Sequence, residues 1–300
     1  MNSHEPRMTI SIASGKGGTG KTTVAVNMAL SLEKDVQLLD CDVEEPNAHL
    51  FIRPRIDEAR PVYLPTPKID ERLCDHCGKC SEFCEFHAIA VVGNKAMIFS
   101  ELCHGCGGCV LVCPKKAIFE ENRQVGIVKK GVMGNIELVY GELNVGEPMS
   151  VPVIREVKMS IDPNRTTIID APPGTSCPVI ESIHGSDYCL LVSEPTPFGL
   201  HDLKLMVEVL KEIKIPFGVV VNRAGIGDRK IYDYCRAENI PILLEIPFDR
   251  RIAELYSRGI PFTTEIPEWK NRFRSLLSNI MERVGAPTAS GSRKGFVKET

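Results

Sequence analysis

The chain opens, after a short polar start, on an apolar, β-prone run from Met8 to Ala13. A glycine-rich stretch follows, and then Val24, Val26, Met28, Ala29, Leu30 and Leu32 lie within a segment of good helix formers. A short apolar run bounded by turn residues predicts a buried strand, and the longer segment predicts a helix. Val36 to Leu39 is a second apolar run and ends in Asp40-Cys41-Asp42, so residues 8–40 predict a β-α-β unit. The same alternation returns later. Strands are predicted at Thr166–Asp170, Tyr188–Val192, Phe217–Asn222 and Ile242–Ile246, and helices near His201–Ile213, Arg229–Glu238 and Asp249–Ser257. Trp269, Phe273, Leu276, Leu277, Ile280 and Val284 recur at helical spacing and form a packing face. Strands alternating with helices predict an α/β fold with a doubly wound, mostly parallel sheet.

Between these halves the texture changes. Residues 54–68 contain Pro54, Pro61, Pro65 and Pro67, a composition that predicts a linker. Residues 123–160 hold short β-prone runs, Val125 to Val128 and Ile136 to Tyr140, among glycines. The stretch Gly141-Glu142-Leu143-Asn144-Val145-Gly146-Glu147-Pro148 receives no role from its residue chemistry. From Gly285 onward the chain is small, polar and basic, which predicts disorder over 286–300.

Composition narrows the function classes. Apolar content of 43% is ample for a core, and a net charge of -3 gives no global field for nucleic acid. No run reaches the length of a membrane span, and no secretory signal is seen at Met1 to Arg7, so the expected compartment is the cytoplasm. Twelve cysteines in such a chain point to metal ligation rather than disulfides.

Eight of those cysteines form an internal repeat. Cys74-x2-Cys77-x2-Cys80-x3-Cys84 is followed, 29 residues further on, by Cys103-x2-Cys106-x2-Cys109-x3-Cys113-Pro114. This is the bacterial two-cluster ferredoxin pattern, in which the fourth cysteine of each copy ligates the other cluster. One [4Fe-4S] cluster is therefore expected on Cys74, Cys77, Cys80 and Cys113, and the other on Cys84, Cys103, Cys106 and Cys109. Glu85 departs from the pattern, which usually has proline after the fourth cysteine. Two zinc sites built from C-x2-C pairs are the competing reading, but zinc leaves the triplet-plus-one arrangement unexplained. Gly78, Gly105, Gly107 and Gly108 allow tight turns and close approach to cluster sulfurs. His76, His87 and His104 are expected as exposed loop residues. Lys115 and Lys116 are expected on a solvated face.

The glycine-rich stretch is Gly15-Lys16-Gly17-Gly18-Thr19-Gly20-Lys21-Thr22-Thr23, which fits G-x-x-x-x-G-K-[ST] between a predicted strand and a predicted helix. Glycines let backbone N–H groups turn toward phosphate oxygens, and the helix start adds its positive dipole end. Lys21 is expected on the β- and γ-phosphates and Thr22 on Mg²⁺.

With Lys16 inside the loop, K-G-G-T-G-K-T-T resembles the deviant P-loop of the MinD/ParA family, which includes Mrp-type carriers and the nitrogenase iron protein. The resemblance covers nearly all of residues 8–284 and implies a P-loop ATPase domain over residues 1–66 and 120–285. A small α+β bacterial-type ferredoxin domain would be inserted over 67–119. It implies that Lys16 reaches the partner's nucleotide across an ATP-dependent homodimer. Asp42 would position or activate the attacking water and sit with Thr22 and Asp170 at the magnesium, with Asp40 near the metal. Asp170 and Gly174 resemble Walker B and the second switch, with the Gly174 amide facing the γ-phosphate. Asn222 and Arg223 resemble the adenine-recognition strand, and Pro247 and Asp249 the loop over the base. Stretches like 141–148 occur in MinD-like proteins with such an insertion.

ATP, Mg²⁺ and two [4Fe-4S] clusters are the implied cofactors. Two functions follow from the resemblance: hydrolysis-gated electron transfer to an unidentified redox partner, or assembly and carriage of clusters. A ParA-like positioning role needs DNA or membrane contacts that the sequence does not show. Cys177 lies at the offset of a bridging cysteine in the nitrogenase iron protein, but residues 114–176 hold no second candidate. Cys41, Cys189 and Cys235 are expected as small buried hydrophobes.

Overall fold

The computed structural model describes residues 7–33 and 35–285; the disorder expected over 286–300 falls outside them. The predicted β-α-β unit is present as β1 (Thr9–Ala13), α1 (Lys21–Ala29) and β2 (Val36–Asp40). A short helix α2 (Ala48–Ile52) leads into β3 (Arg55–Ile69). The cysteine-rich segment contains α3 (Lys79–Phe83), β4 (Ile89–Val92), β5 (Lys95–Ile98), a single 3-10 turn at Ser100–Leu102, and α4 (Gly108–Val112). The chain returns along β6 (Ile118–Met133) and β7 (Ile136–Leu143) to α5 (Val151–Lys158), β8 (Thr166–Asp170) and α6 (Cys177–Ile183). It continues through β9 (Tyr188–Ser193), α7 (Pro197–Ile213), β10 (Phe217–Ala224), α8 (Lys230–Ala237) and β11 (Ile242–Pro247). The last helices are α9 (Arg250–Ser257), α10 (Phe262–Glu265) and α11 (Glu268–Gly285).

Nine strands form one sheet in the order β11-β10-β9-β1-β8-β2-β7-β6-β3. From β11 to β7 all neighbours run parallel, while β6 and β3 are added antiparallel at one edge. Successive residues of each strand feed opposite faces. Leu38 and Ile168 join the core under α1 and α11, and Leu39 and Ile169 join the core under α5. The stripe on α11 buries Trp269, Phe273, Leu276, Leu277 and Ile280 as its spacing predicts.

The expected linker over 54–68 is corrected by the structure. All of this stretch but Pro54, together with Ile69, forms β3, paired with β6 from Arg55↔Val132 to Ile69↔Ile118 with register shifts at Ile56/Glu58 and Val62/Tyr63. Proline cannot donate to a ladder, but β3 is the sheet's edge, so one side of it has no ladder to lose. Pro61, Pro65 and Pro67 stand opposite Ile127, Asn122 and Glu120. Both strands are two to three times the usual five or six residues. β7 pairs β6 only from Gly126 to Met133, so the far half of β3 and β6 is a two-stranded ribbon that holds the cysteine-rich segment. A free tether is thus replaced by a hydrogen-bonded arm. The short runs expected over 123–160 are likewise one long strand, β6, a hairpin partner in β7, and the helix α5.

Within the segment the sequence repeat is also a backbone repeat. α3 and α4 each span five residues, start after a left-handed glycine (Gly78, φ 79°; Gly107, φ 70°), and stop at Cys84 and Cys113. Left-handed φ recurs at His76 and Gly105 (58° and 64°) and at His87 and Lys116 (52° and 50°). β4 and β5 pair antiparallel as a separate hairpin.

Candidate nucleotide site and cysteine cavities

The loop from Gly15 to Gly20 leaves the carboxyl end of β1, a central strand, which is where parallel sheets place ligands. α1 starts at Lys21 with Gly20 as its cap at φ 95°. A Cβ at Gly20 would fall 2.4 Å from the Asn222 side chain, so the loop closes only around glycine here. Lys21 and Thr22 are buried, whereas Lys16 is half-buried and pairs with no acidic side chain among the described residues. Gly17 and Gly18 are exposed, and Thr19 is buried with its hydroxyl unpartnered. The Ser14 hydroxyl, which sequence reading passed over, donates to the Lys16 carbonyl at 2.6 Å and shapes the turn.

Three aspartates converge below this loop. Asp40 and Asp170 are register partners on β2 and β8 and both are fully buried. Asp40 accepts the backbone N–H groups of Asp42, Asn47 and Ala48 at 3.1, 3.0 and 2.9 Å, so its carboxylate organises the loop that carries Asp42. Neither oxygen of Asp170 has a hydrogen-bond partner. Burial pushes the carboxyls of Asp40 and Asp170 up. The Asp42 charge adds to this at Asp40 and the Asp40 charge adds to it at Asp170, where Lys21 works against it. Burial also lifts Asp42 to about 6, with Lys21 opposing. Orphaned carboxylate oxygens beside the Thr22 hydroxyl fit a hard dication. Mg²⁺ keeps several waters and takes only one or two protein carboxylates, so Thr22, Asp42 and Asp170 suffice as holders.

Residues 171–174, expected as the second switch, follow the carboxyl end of β8, but the Gly174 amide expected to face the γ-phosphate donates instead to the Ser14 carbonyl at 3.0 Å. Asn222, expected on adenine, donates through Nδ2 to the Thr19 carbonyl at 2.8 Å and accepts the Arg223 amide at 2.9 Å. Its side chain braces the phosphate loop. Arg223 pairs with the buried Glu194 at 3.0 Å. Pro247 ends β11, and Asp249 caps α9 by accepting the Arg251 amide at 2.8 Å.

The cysteines gather in two sets, each drawn from both repeats. Cys74, Cys77, Cys80 and Cys113 line one cavity, and Cys84, Cys103, Cys106 and Cys109 line the other. The Ala88, Gly105 and Ala117 amides donate to the Cys84, Cys103 and Cys113 sulfurs at 3.3–3.4 Å. Among the described residues no three His, Cys, Asp or Glu side chains close on a single-ion position. A cubane spreads its four thiolates around a cluster, whereas zinc draws sulfurs to about 2.3 Å of one ion, so the spread sets suit the former. The cavities differ in size, about 330 Å³ for the Cys103 set and about 20 Å³ for the Cys74 set.

His87 and His104 are exposed, although His104 stacks on Phe86 with ring centroids 3.6 Å apart. His76 departs from expectation: its side chain is only 20% exposed and lies 3.5 Å from Glu71. The positive φ at this residue turns its ring inward beside the cavity of the Cys74 set. Cys41, Cys189 and Cys235 are buried and Cys177 is exposed. Among the described residues no helix is long and apolar enough to cross a membrane.

Comparison with known proteins places this geometry. An uncharacterized protein of Methanocaldococcus jannaschii is 33% identical over 264 residues, covering 85% of this chain and 91% of its own. The iron-sulfur cluster carrier protein of the same organism is 23% identical over 298 residues, covering 92% and 84%. The septum site-determining protein MinD of Pyrococcus horikoshii, complexed with Mg-ADP, superimposes with a TM-score of 0.57 at 22% identity. That match covers 93% of this chain and 98% of MinD, and it speaks to the fold alone. The CobQ/CobB/MinD/ParA nucleotide-binding domain model matches residues 10–262, across both halves of the sheet and the cysteine-rich segment between them. The chain therefore belongs to the CobQ/CobB/MinD/ParA family of nucleotide-binding P-loop proteins.

Proposed function

We propose that the protein is a Mg²⁺-dependent ATPase that holds two [4Fe-4S] clusters and couples nucleotide state to electron transfer toward a partner metalloprotein. The observation that carries this reading is the pair of cysteine quartets on a ribbon continuous with the nucleotide-binding sheet. Filled quartets supply one-electron storage at low potential.

The chain's own residues divide the remaining work. Lys21 neutralises phosphate charge, and Thr22, Asp42 and Asp170 hold the metal. Asp42 stands beside the phosphate loop, where its carboxylate can orient the attacking water. Gly174 leaves the Ser14 carbonyl to meet the γ-phosphate, which makes the second switch a hydrogen-bond exchange. Lys16, which pairs with no acidic side chain among the described residues, serves the nucleotide of a second copy in an ATP-bound homodimer.

A second reading, in which clusters are cargo delivered to an acceptor, is favoured by the relatives named iron-sulfur cluster carrier proteins. Cluster retention separates the two. Anaerobic purification should yield about eight irons per chain, and the clusters should stay bound when an apo-acceptor is added with ATP. Transfer of iron and sulfide to the acceptor would establish carriage instead, and zinc without iron would end both readings. Cys113→Ser should damage the Cys74 cluster; loss of the Cys103 cluster alone would show that ligation is not crossed.

A further inference from the structure

The stretch 141–148 plays no part in the nucleotide chemistry above, yet it runs from the loop that carries Asp42 to the cysteine segment. At one end it packs on Val43, the buried residue after Asp42. A Cβ at Gly141 would come within 2.6 Å of the Val43 side chain, and the Leu143 amide donates to the Val43 carbonyl at 2.8 Å. In the middle it is fastened to β6. The Asn144 amide donates to the Val125 carbonyl at 2.9 Å and its side chain to the Gln124 carbonyl at 2.8 Å. At the far end is Glu147, whose side chain is 3% exposed and forms an ion pair with Arg123 of β6. Glu147 also accepts the Met149 amide at 3.2 Å.

Arg123 faces the cysteines. Its Nη2 donates to the Ser100 carbonyl at 3.3 Å, and that same carbonyl accepts the Cys103 amide at 3.2 Å. Its Nε reaches the Thr66 hydroxyl at 3.4 Å, so the guanidinium spans both strands of the ribbon and the turn that presents Cys103. Burial pushes the Cys103 thiol up, and the Arg123 charge works against it. The Glu147 carboxylate is buried and costly to leave without its cation, so its position is linked to that of the half-buried Arg123.

We infer that Arg123 is a positioning residue for the Cys84, Cys103, Cys106 and Cys109 set, and that Glu147, through the 141–147 stretch, holds it in register with the loop that carries Asp42. The inference rests on the iron–sulfur reading above. It makes the two quartets unequal: one is wired to the nucleotide site, and no such bridge runs to the Cys74 set among the described residues.

The test is an EPR-monitored redox titration of full-length, anaerobically purified protein, with ADP and with a non-hydrolysable ATP analogue. The native chain is compared with Arg123→Gln, Arg123→Lys and Glu147→Gln. Removing the cation should lower the potential of the Cys103 cluster, with a change of up to about tenfold in its reduced-to-oxidised ratio at fixed poise, equivalent to about 59 mV. Removing the anion should raise that potential, a sign reversal that a merely structural defect does not produce. Arg123→Lys should restore the potential while losing the nucleotide-dependent shift, because the fork to Ser100 is gone. The Cys74 cluster should stay put throughout. If Arg123→Gln loads only the Cys74 cluster, positioning is supported directly and Glu147→Gln carries the test of sign. Unchanged potentials in all variants, or both clusters moving together, would overturn the inference with the iron–sulfur reading intact. A native protein without iron would instead remove the reading beneath it.

Discussion

At the residue scale the two loop lysines are separable. Lys21 is buried at the start of α1, aimed where phosphates gather, while Lys16 is half-buried and has no acidic partner among the described residues. Lys21→Ala removes a charge-assisted contact and should weaken ATP binding roughly 10- to 100-fold. Lys16→Ala should leave affinity within about threefold yet lose hydrolysis and ATP-dependent dimerisation, measured by calorimetry, phosphate release and sedimentation. Normal turnover in the Lys16 variant would falsify a role in trans. Asp42→Ala should bind ATP, dimerise and remain trapped. The aspartates themselves were legible because three acids end two strands beside a phosphate loop. That Asp40 organises backbone amides, and that Asn222 braces the loop, were not legible, since both depend on which atoms meet across the sheet.

At the element scale the ribbon of β3 and β6 defines how the cysteine segment is attached. Ile69 and Ile118 are register partners at its tip, close enough for a two-residue turn to join the strands. Replacing residues 70–117 with Asn-Gly, which suits a type I′ hairpin turn, should give a folded protein that binds ATP and no iron. Circular dichroism, thermal unfolding and iron analysis check this outcome. A variant that fails to fold would make the cysteine segment part of the core rather than an attached unit. The ribbon was hidden in the sequence because proline frequency marks linkers in general. Only knowledge that β3 is an edge strand reverses that inference.

At the scale of the whole molecule, attachment through a hydrogen-bonded ribbon rather than a free tether makes coupling between nucleotide and redox state a physical expectation. Linkage requires equal effects in both directions in binding free energy. A nucleotide-induced potential change of about 30 mV in a one-electron step corresponds to about 0.7 kcal/mol, half the two-electron figure. ATP affinity should then differ about threefold between oxidised and reduced protein, by calorimetry in both states. Equal affinities together with equal potentials would leave the cysteine segment uncoupled and favour a carrier role.

What the sequence determined by itself was local and periodic: the strand–loop–helix around Lys21, the β-α alternation, and the cysteine spacing repeated in register. Such features are carried by neighbours in the chain, so they survive without a fold. Tertiary structure alone decided three things. It made the proline-rich stretch an edge strand, because its partner strand lies far along the chain, Arg55 pairing with Val132 and Ile69 with Ile118. It drew Cys84 and Cys113 each into the other repeat's cavity, an exchange that the spacing implied and only packing can carry out. It also gave 141–148 its place between Val43 and Arg123, through contacts among residues that propensity cannot relate.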